Sequence, residues 1–334
     1  MTQGDSTERV HLSVADARAL SERAMCGIGY EPDEARVLAD HVIDAALCGY
    51  EYSGLPKLLN VADHPRFKAP RGRLRVLRET GVSVLFDGGN QSGMLAMYHA
   101  TRAAIERAQA HGFALVGVNN IWMSGRSAYY VEMAARAGVI GIHTVAAHPM
   151  VAPLGGAKPA LGTNPIAFGF PMDGDPLVID LGTSAFMGTD LQFRERLGIP
   201  LPEGVAIDEH GRPTTDAAAA RRGALLPFGG HKGYALALAM HALGVLCAGA
   251  GDKETIGYLF IAFKPDLFVP LEDYRHALAA EIAAIKATPR QDGVDEIRIP
   301  GERAYRERAQ RERDGLEIDR RIHDALMVLA QRST

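Results

Sequence analysis

Cysteine is scarce in this sequence. The three cysteines, Cys26, Cys48 and Cys247, lie far apart and form no CxxC pair, and no HExxH motif occurs among the 12 histidines. This odd number at wide spacing argues against a disulfide framework and against a structural zinc site. We therefore expect a reduced, cytoplasmic protein without a metal site, in which the cysteines are small core residues.

Long apolar runs are also missing. No uninterrupted run approaches the ~20 residues that span a bilayer, and the richest segment, Tyr234 to Ala250, is broken by His241 and two glycines. We interpret that segment as a buried helix. The N-terminus, Met1 to Arg9, is polar and lacks the apolar core of a signal peptide. These features predict a protein with no membrane partner.

The chain has no surplus of positive charge. It carries 36 Lys+Arg against 40 Asp+Glu, a formal net charge of -4, so sequence-independent binding of nucleic acid is not expected. With 334 residues and 47% hydrophobic content, the composition is that of a folded globular protein. The length suits one large core or two domains.

The first 50 residues contain sequence signals for two helices. Ser13 and Asp16 resemble a capping box for a helix that runs to Met25, and Pro32 stands where a first-turn proline belongs in a second helix that ends near Gly49. A connector follows at residues 63–73. The next pattern alternates between strands and helices, which predicts an α/β core: a strand at 82–86, a turn at 87–90, a helix at 93–111, a strand at 114–118, a helix at 124–137 and a strand at 139–146.

The second half is less regular. Residues 149–182 are dense in Gly, Pro and Thr, which predicts several short strands and loops that form a binding face. A buried helix is expected from His231 to Cys247. The tail from Gly301 to Arg332 is predicted to be helical and is heavily charged in its first half.

A Rossmann nucleotide fingerprint is absent. The nearest match, at residues 27–29, lacks the third glycine and lies between two helices. A different segment, Phe228-Gly229-Gly230-His231-Lys232-Gly233, is more suggestive, because glycines let a ligand approach the backbone and a helix N-terminus with a lysine suits a phosphate. The alternative is a glycine-rich loop that enters a core helix.

Three other segments have two interpretations each. Residues 161–165, which include Thr163, either shape a pocket or form ordinary turns. Asp180, at the end of an apolar run, either orients a partner group or contacts a ribose hydroxyl, or it caps the strand end. Gly301-Glu302-Arg303 either contacts a ligand or begins a helix.

Taken in order, these segments resemble the malate/L-lactate dehydrogenase family that lacks a Rossmann fold, whose members include L-sulfolactate and ureidoglycolate dehydrogenases, 2,3-diketogulonate reductase and Δ1-piperideine-2-carboxylate reductases. The resemblance runs from about Leu12 to Leu316. It is carried by six segments in the family's order: residues 151–156 with 161–168, 180–184, 211–216, 229–234 and 300–303.

The resemblance implies an NAD(P)H-dependent oxidoreductase that forms an intertwined homodimer. It implies an α/β fold with a central mixed sheet and a helical subdomain built from both termini. Residues 1–75 with 300–334 would form that substrate and dimerisation subdomain, 76–120 an αβ connecting region, and 121–299 the NAD(P)-binding domain. The NAD or NADP contacts that it implies are Val178, Asp180, Leu181, Gly182, His231, Lys232, Gly233, Gly301, Glu302 and Arg303.

The catalytic motif departs from the family pattern. Members usually carry Gly-x-Asp-Ser-His-Gly followed by a carboxylate-binding Arg, with the His as the general acid. Here the matching frame, which begins at Gly49, has Tyr52 in place of the Ser, Ser53 in place of the His and Lys57 in place of the Arg. An unperturbed serine hydroxyl is a poor proton source near neutral pH, whereas His titrates there.

Three interpretations of this departure remain. Another group donates the proton, with Tyr52 as the first candidate, His148 as a second and water held by Ser53 as a third. Alternatively, a diverged substrate relaxes the need for the His, or the chain is a nucleotide-binding pseudoenzyme. The predicted catalytic residues are Tyr52, Ser53, Asp180 and His148, and the predicted substrate contacts are Lys57, Trp122, Met123, Arg126 and Thr163.

These substrate contacts also have ordinary explanations. Lys57 and Arg126 would place positive charge near a substrate carboxylate, or they are surface charges. Trp122 and Met123 would form an apolar wall, or Trp122 belongs to the core. The expected substrate is a carboxylate-bearing 2-oxo or 2-hydroxy acid or a cyclic imino acid.

Overall fold

The structure is a computed structural model that describes residues 8–248 and 257–332. The chain divides into two compact units. The terminal unit comprises Met1–Pro70 and Glu302–Thr334, and the central unit comprises Arg71–Gly301.

The strands, in chain order, are β1 (Arg9–Leu12), β2 (Arg75–Glu79), β3 (Ser83–Ser92), β4 (Phe113–Trp122), β5 (Ile140–Val145), β6 (Ile166–Phe170), β7 (Leu177–Leu181), β8 (Ala206–Ile207), β9 (Ala224–Leu225), β10 (Tyr258–Phe263) and β11 (Leu316–Asp319). The helices are α1 (Val14–Cys26), α2 (Pro32–Leu47), α3 (Pro56–Asp63), α4 (Gly93–His111), α5 (Ser127–Arg136), α6 (Gly188–Leu197), α7 (Ala217–Arg222), α8 (His231–Ala248), α9 (Leu271–Lys286), α10 (Glu302–Asp314) and α11 (Arg320–Ala330).

The terminal unit is held together by pairing of the two chain ends. Strand β1 pairs antiparallel with β11, and α1 packs on both α2 and α11. Helix α1 begins as predicted, because the Ser13 hydroxyl accepts a hydrogen bond from the Asp16 amide at 3.1 Å. Helix α10 packs on α2, where the Arg308 guanidinium lies 2.6 Å from the Asp44 carboxylate. Both ends of the sequence therefore contribute to one helical subdomain.

The central unit is built on a mixed sheet. Within the described residues this sheet has seven strands in the order β2-β3-β4-β10-β5-β6-β7. Only the β3–β4 pair among its neighbours is parallel. Helix α4 packs on β3, β4 and β10, α5 on β5, β6 and β7, and α8 on β4, β5 and β10. The predicted α/β fold with a central mixed sheet is thus confirmed.

The turn predicted at residues 87–90 is wrong. Strand β3 continues through this segment to Ser92 and pairs again with β4 at Gln91 and Ile121. The glycines and the asparagine lie instead at an irregularity in the pairing of β3 with β4. Gly89 and Asn90 adopt positive φ angles of 62° and 58° there. Gly88 is required there, because a Cβ atom would lie 1.9 Å from the Ile121 side chain.

Helix α8 is the second difference. The sequence predicts that it is buried, and residues 249 and 250 of that prediction lie outside the described residues. One face does pack on the sheet, but in this chain Leu238, Val245 and Leu246 are 45%, 59% and 69% exposed. The face toward the sheet has helical spacing and small side chains: Gly233, Ala237, Met240, Gly244 and Cys247.

No helix of the described part is long and apolar enough to cross a membrane.

Candidate active site

The altered catalytic motif lies in the segment between α2 and α3, residues 48–55, which we call the α2–α3 turn. Glu51–Ser53 form a single 3₁₀ turn there. The Ser53 amide donates to the Tyr50 carbonyl at 2.9 Å, and the Gly54 amide donates to the Glu51 carbonyl at 3.0 Å. Gly54 passes so near α2 that a Cβ atom would lie 2.9 Å from the Ala46 methyl group. The glycine therefore seats the turn on the end of α2.

An ion pair ties this turn to the edge of the terminal unit. The Arg9 guanidinium on β1 lies 2.7 Å from the Glu51 carboxylate. Tyr52 is half-buried and Ser53 is buried. The turn thus presents Tyr52 and holds Ser53 in a position with little access to water.

Lys57 lies in the first turn of α3, and only 2% of the residue is exposed. Its amide donates to the Gly54 carbonyl at 3.0 Å, which places it directly after the turn. Burial lowers the pKa of the Lys57 ammonium to about 8, because desolvation disfavours the charged form. The amine therefore changes charge near pH 8 rather than far above it, and it is not the surface charge of the alternative interpretation.

The predicted cofactor contacts near the C-terminus are divided between the units. Gly301 ends the central unit with a φ of 92°, and Glu302 begins α10 in the terminal unit. Arg303 is exposed, and its guanidinium carbon lies 4.8 Å from the centroid of the Tyr50 ring. Pro300 to Arg303 therefore does form a helix start.

Asp180 is the penultimate residue of β7 in the central unit. Its carboxylate accepts a hydrogen bond from the Ala128 amide at 2.8 Å, at the first turn of α5. Burial raises the pKa of Asp180, while the amide hydrogen bonds and the charge of Arg126 act to lower it. The residue keeps an open side, so water offsets part of this desolvation. Asp180 thus caps α5 and also presents a carboxyl group to solvent.

The residues before α5 differ in accessibility. Trp122 is fully buried, and its indole N–H donates to the Asn90 carbonyl at 3.1 Å. Met123 has a φ of 54° and is half-buried, as is Arg126. Trp122 is therefore a core residue of the central unit, while Met123 and Arg126 keep part of their surface accessible.

Two loops meet at the end of β7. The Thr183 amide donates to the Thr163 carbonyl at 2.9 Å, and the Phe228 amide donates to the Thr183 carbonyl at 3.1 Å. Gly233, in the first turn of α8, passes so close that a Cβ atom would lie 2.4 Å from the Phe228 carbonyl oxygen and 2.7 Å from that of Thr183. The structure therefore brings together three segments that the sequence selected separately: Thr163, the strand end at Val178–Gly182, and His231–Gly233.

The approach to α8 is open. Gly229 and Gly230 have φ angles of 51° and 57°, and an added Cβ atom at either position would meet nothing within 4 Å. His231 and Lys232 are exposed at the start of the helix. The positive end of a helix, an exposed lysine and an open glycine pair suit an anionic group. The loop is therefore a candidate binding site for a phosphate or another anionic group.

His148 is exposed on the loop that follows β5. Beside it, the Ala147 amide donates to the Asn164 side-chain oxygen at 2.9 Å, and the Asn164 side-chain nitrogen donates to the Ala237 carbonyl at 2.9 Å. Asn164 is fully buried with a φ of 33°. The sequence prediction did not single out Asn164, although an Asn between Gly-Thr and Pro is a signal for a left-handed turn.

No group of three or more His, Cys, Asp or Glu side chains in the described part of the chain is arranged to hold a metal ion.

The fold and these segments match a known family. A family model described as malate/L-lactate dehydrogenase matches residues 12–327. The chain belongs to this malate/L-lactate dehydrogenase family. It is therefore an oxidoreductase, a dehydrogenase or reductase of hydroxy or oxo acids.

Individual relatives agree over most of the chain. The malate/(S)-sulfolactate dehydrogenase of Methanothermus fervidus is 32% identical over 333 residues, which cover 96% of this chain and 97% of that protein. The Δ1-pyrroline-2-carboxylate/Δ1-piperideine-2-carboxylate reductase of Pseudomonas aeruginosa is 38% identical over 243 residues, 68% of this chain and 71% of that protein. The crystal structure of a dehydrogenase from Sinorhizobium meliloti has a TM-score of 0.88 at 31% identity and covers 97% of this chain and 99% of that one.

Proposed function

We propose that this family member transfers hydride between NAD(P)H and a carboxylate-bearing 2-oxo or 2-hydroxy acid or cyclic imino acid. The observation that carries the proposal is the junction of β7, the Thr163 loop and the start of α8, whose backbone hydrogen bonds run through Thr183. This junction brings together segments that we propose to bind the nucleotide, and that proximity supports the proposal.

The nucleotide would be held mainly by the central unit. His231 and Lys232 at the start of α8 would bind its phosphates, and the segment Val178–Gly182 would lie along it. Gly301, Glu302 and Arg303 are further proposed contacts. The bound cofactor supplies the hydride, and the residues of this chain supply binding, orientation and the proton. We propose residues 121–299 as the NAD(P)-binding domain and residues 76–120 as an αβ connecting region of the core.

The proton is the second requirement of the reaction. Tyr52 and Ser53 share one short turn whose backbone is anchored to α2, so either hydroxyl would be presented in a fixed position. We assign proton transfer to Tyr52, to water held by Ser53, or to His148. Asp180 would orient the site through the start of α5.

Lys57 would bind the substrate carboxylate. Its ammonium is desolvated, and a charge in a dry environment interacts more strongly with an opposite charge than it would in water. Arg126, Met123 and Thr163 are further proposed contacts of the substrate. The fully buried Trp122 would not touch the substrate but would support the neighbouring Met123 through its packing.

The active form is proposed to be a homodimer. The exposed apolar face of α8 includes Leu238, Val245 and Leu246, and Phe268 before α9 is 88% exposed. Apolar surface of this kind is typical of an interface between subunits. Leu246→Glu should yield a monomer in light scattering, whereas Val82→Glu, at another exposed apolar position, should leave the dimer intact. A monomeric wild type would contradict this proposal.

The test of the enzymatic proposal has two stages. NADH and NADPH are titrated against the protein by nucleotide fluorescence, and 2-oxo acids and cyclic imines are then screened for loss of nucleotide absorbance. We expect binding of at least one nucleotide and turnover of a carboxylate substrate. Binding without turnover would identify a nucleotide-binding pseudoenzyme, and no binding of either nucleotide would overturn the cofactor assignment.

Substitutions then identify the donor. Tyr52→Phe removes one hydroxyl and Ser53→Ala the other, with little change in volume. General acid catalysis typically contributes about 10²- to 10⁴-fold, so loss of the true donor should lower kcat by that order. If both variants and His148→Asn turn over like wild type, the proton-donor assignment is wrong.

A further inference from the structure

Tyr50, which precedes the 3₁₀ turn, connects several parts of the terminal unit. Its amide donates to the Ala45 carbonyl at 3.0 Å, and its carbonyl accepts from the Ser53 amide at 2.9 Å. The backbone of Tyr50 therefore joins the end of α2 to the turn that carries Tyr52 and Ser53.

The side chain of Tyr50 has contacts on two sides. The Arg303 guanidinium carbon lies 4.8 Å from the ring centroid, within the range of a cation–π contact. The Tyr52 ring lies edge-on, with its centroid 6.2 Å away and an interplanar angle of 80°. One aromatic ring thus touches both a proposed cofactor contact and a proposed proton donor.

The neighbouring glycine makes room for this arrangement. Gly49 has a φ of 84°, and a Cβ atom there would lie 2.8 Å from an Arg303 guanidinium nitrogen. Any side chain at this position would be strained and would push Arg303 away from Tyr50. The local backbone is therefore shaped to let Arg303 reach the ring.

The geometry points to Tyr50 as a positioning residue that couples Arg303 to Tyr52 and Ser53. This inference rests on the proposed function and deepens it. When Arg303 binds an anionic group of the nucleotide, its place over the Tyr50 ring is fixed. The ring then restricts Tyr52, and the α2–α3 turn becomes ordered for proton transfer. Nucleotide binding would in this way prepare the turn before the substrate reacts.

The test compares three substitutions in the full-length protein. Tyr50→Leu removes the aromatic face, and Tyr50→Phe keeps it. Tyr305→Leu is a matched control, because Tyr305 also lies under an arginine of α10, with the Arg308 guanidinium carbon 5.4 Å from its ring centroid. Hydrogen exchange of peptides covering residues 48–58 is followed by mass spectrometry with and without NAD(P)H. Nucleotide dissociation constants and kcat are measured alongside.

We expect NAD(P)H to slow exchange in residues 48–58 of the wild type and of Tyr305→Leu, but not in Tyr50→Leu. The dissociation constant of Tyr50→Leu should rise about two- to fivefold, as expected for loss of one exposed cation–π contact. Its kcat should fall as well, and Tyr50→Phe should recover both values.

Two results would overturn the inference while leaving the proposed function intact. One is nucleotide binding that does not change exchange in this segment of the wild type. The other is a Tyr50→Leu protein that responds like Tyr305→Leu, because the ring would then contribute only to stability. A wild type that binds no nucleotide would overturn both proposals.

Discussion

His143 allows a quantitative prediction about pH and stability. This residue lies on β5 with no exposed surface, and neither ring nitrogen has a hydrogen-bond partner among the described residues. Its imidazole is enclosed by aromatic rings, with centroid distances of 5.3 Å to Tyr130 and 6.0 Å to Phe260. Burial lowers the pKa of His143 to about 3, because the charged ring would lose its hydration without gaining a partner.

The sign and size of the effect follow from linkage. In the unfolded chain His143 would titrate near about 6.5, so between pH 6.5 and 3 the unfolded state binds a proton that the folded state does not. Stability contributed by the neutral ring is therefore complete above pH 6.5 and decreases as the pH falls toward 3. Between pH 7 and pH 5 the loss attributable to this residue is about 2 kcal/mol.

His143→Leu removes this titration and replaces an unpaired polar ring with an apolar side chain. Urea unfolding followed by circular dichroism gives the free energy of unfolding at pH 7, 6 and 5, at one protein concentration. The wild type should lose about 2 kcal/mol more than His143→Leu over this interval. At pH 7 the variant should be at least as stable, since a buried unsatisfied polar group costs about 1–3 kcal/mol.

The control is His210→Leu, which removes an exposed imidazole and should keep the wild-type pH dependence. Equal pH dependence of the wild type and His143→Leu would refute the reasoning. So would an NMR titration in which the His143 ring becomes protonated above pH 5 in the folded protein.

Three other predictions concern the proposed active site. Because Lys57 has a pKa of about 8, KM for a carboxylate substrate should rise by up to about tenfold per pH unit above pH 8, and Lys57→Arg should abolish this rise in pH-dependent steady-state kinetics. Lys57→Met should raise KM about 10- to 100-fold below pH 8, with a difference from the wild type that shrinks at higher pH, and an unchanged KM at pH 7 would exclude the carboxylate role. Gly233→Ala should weaken NAD(P)H binding in a fluorescence titration, because its Cβ atom would lie 2.4 Å from the Phe228 carbonyl oxygen, whereas Gly81→Ala, in open space, should bind like wild type.

The elements that the sequence predicted well are those with local signals. The cap at Ser13, the first-turn Pro32 and the helix Gly93–His111 depend on residues near each other in the chain, and each is present in the structure. The membership of the family also followed from short segments in a fixed order. Such features need no knowledge of distant partners.

The errors arise where a distant segment determines the outcome. Residues 87–90 have the composition of a turn, but pairing with β4 continues the strand, and Gly88 fits against Ile121. Strand β10 was not predicted, although it lies at the centre of the sheet, because a short apolar run does not reveal its place between β4 and β5. The burial of α8 depends on what covers its outer face, which hydrophobicity alone does not specify.

The candidate site shows the same difference between local sequence signals, which were recognised, and contacts between distant segments, which were not. The sequence identified the altered motif and its replaced residues, but not that Lys57 is buried or that Arg303 lies over Tyr50. Those features depend on packing between the two ends of the chain, since α3 packs on α11 and α10 packs on α2.

The geometry of the α2–α3 turn favours the interpretation that the substrate has changed over the interpretation that the site has lost its function. Its shape depends on Gly49, which leaves space for Arg303, and on Gly54, which lies against Ala46. Neither glycine takes part in chemistry, yet both are present with the conformations that seat the turn, while the positions matching the family's Ser, His and Arg carry Tyr52, Ser53 and Lys57. A buried lysine is costly unless its charge is used or its pKa is lowered, and such groups are concentrated at functional sites. Since this frame still positions three polar side chains, one of them a desolvated amine, we propose that it binds a different carboxylate substrate rather than being a site without function.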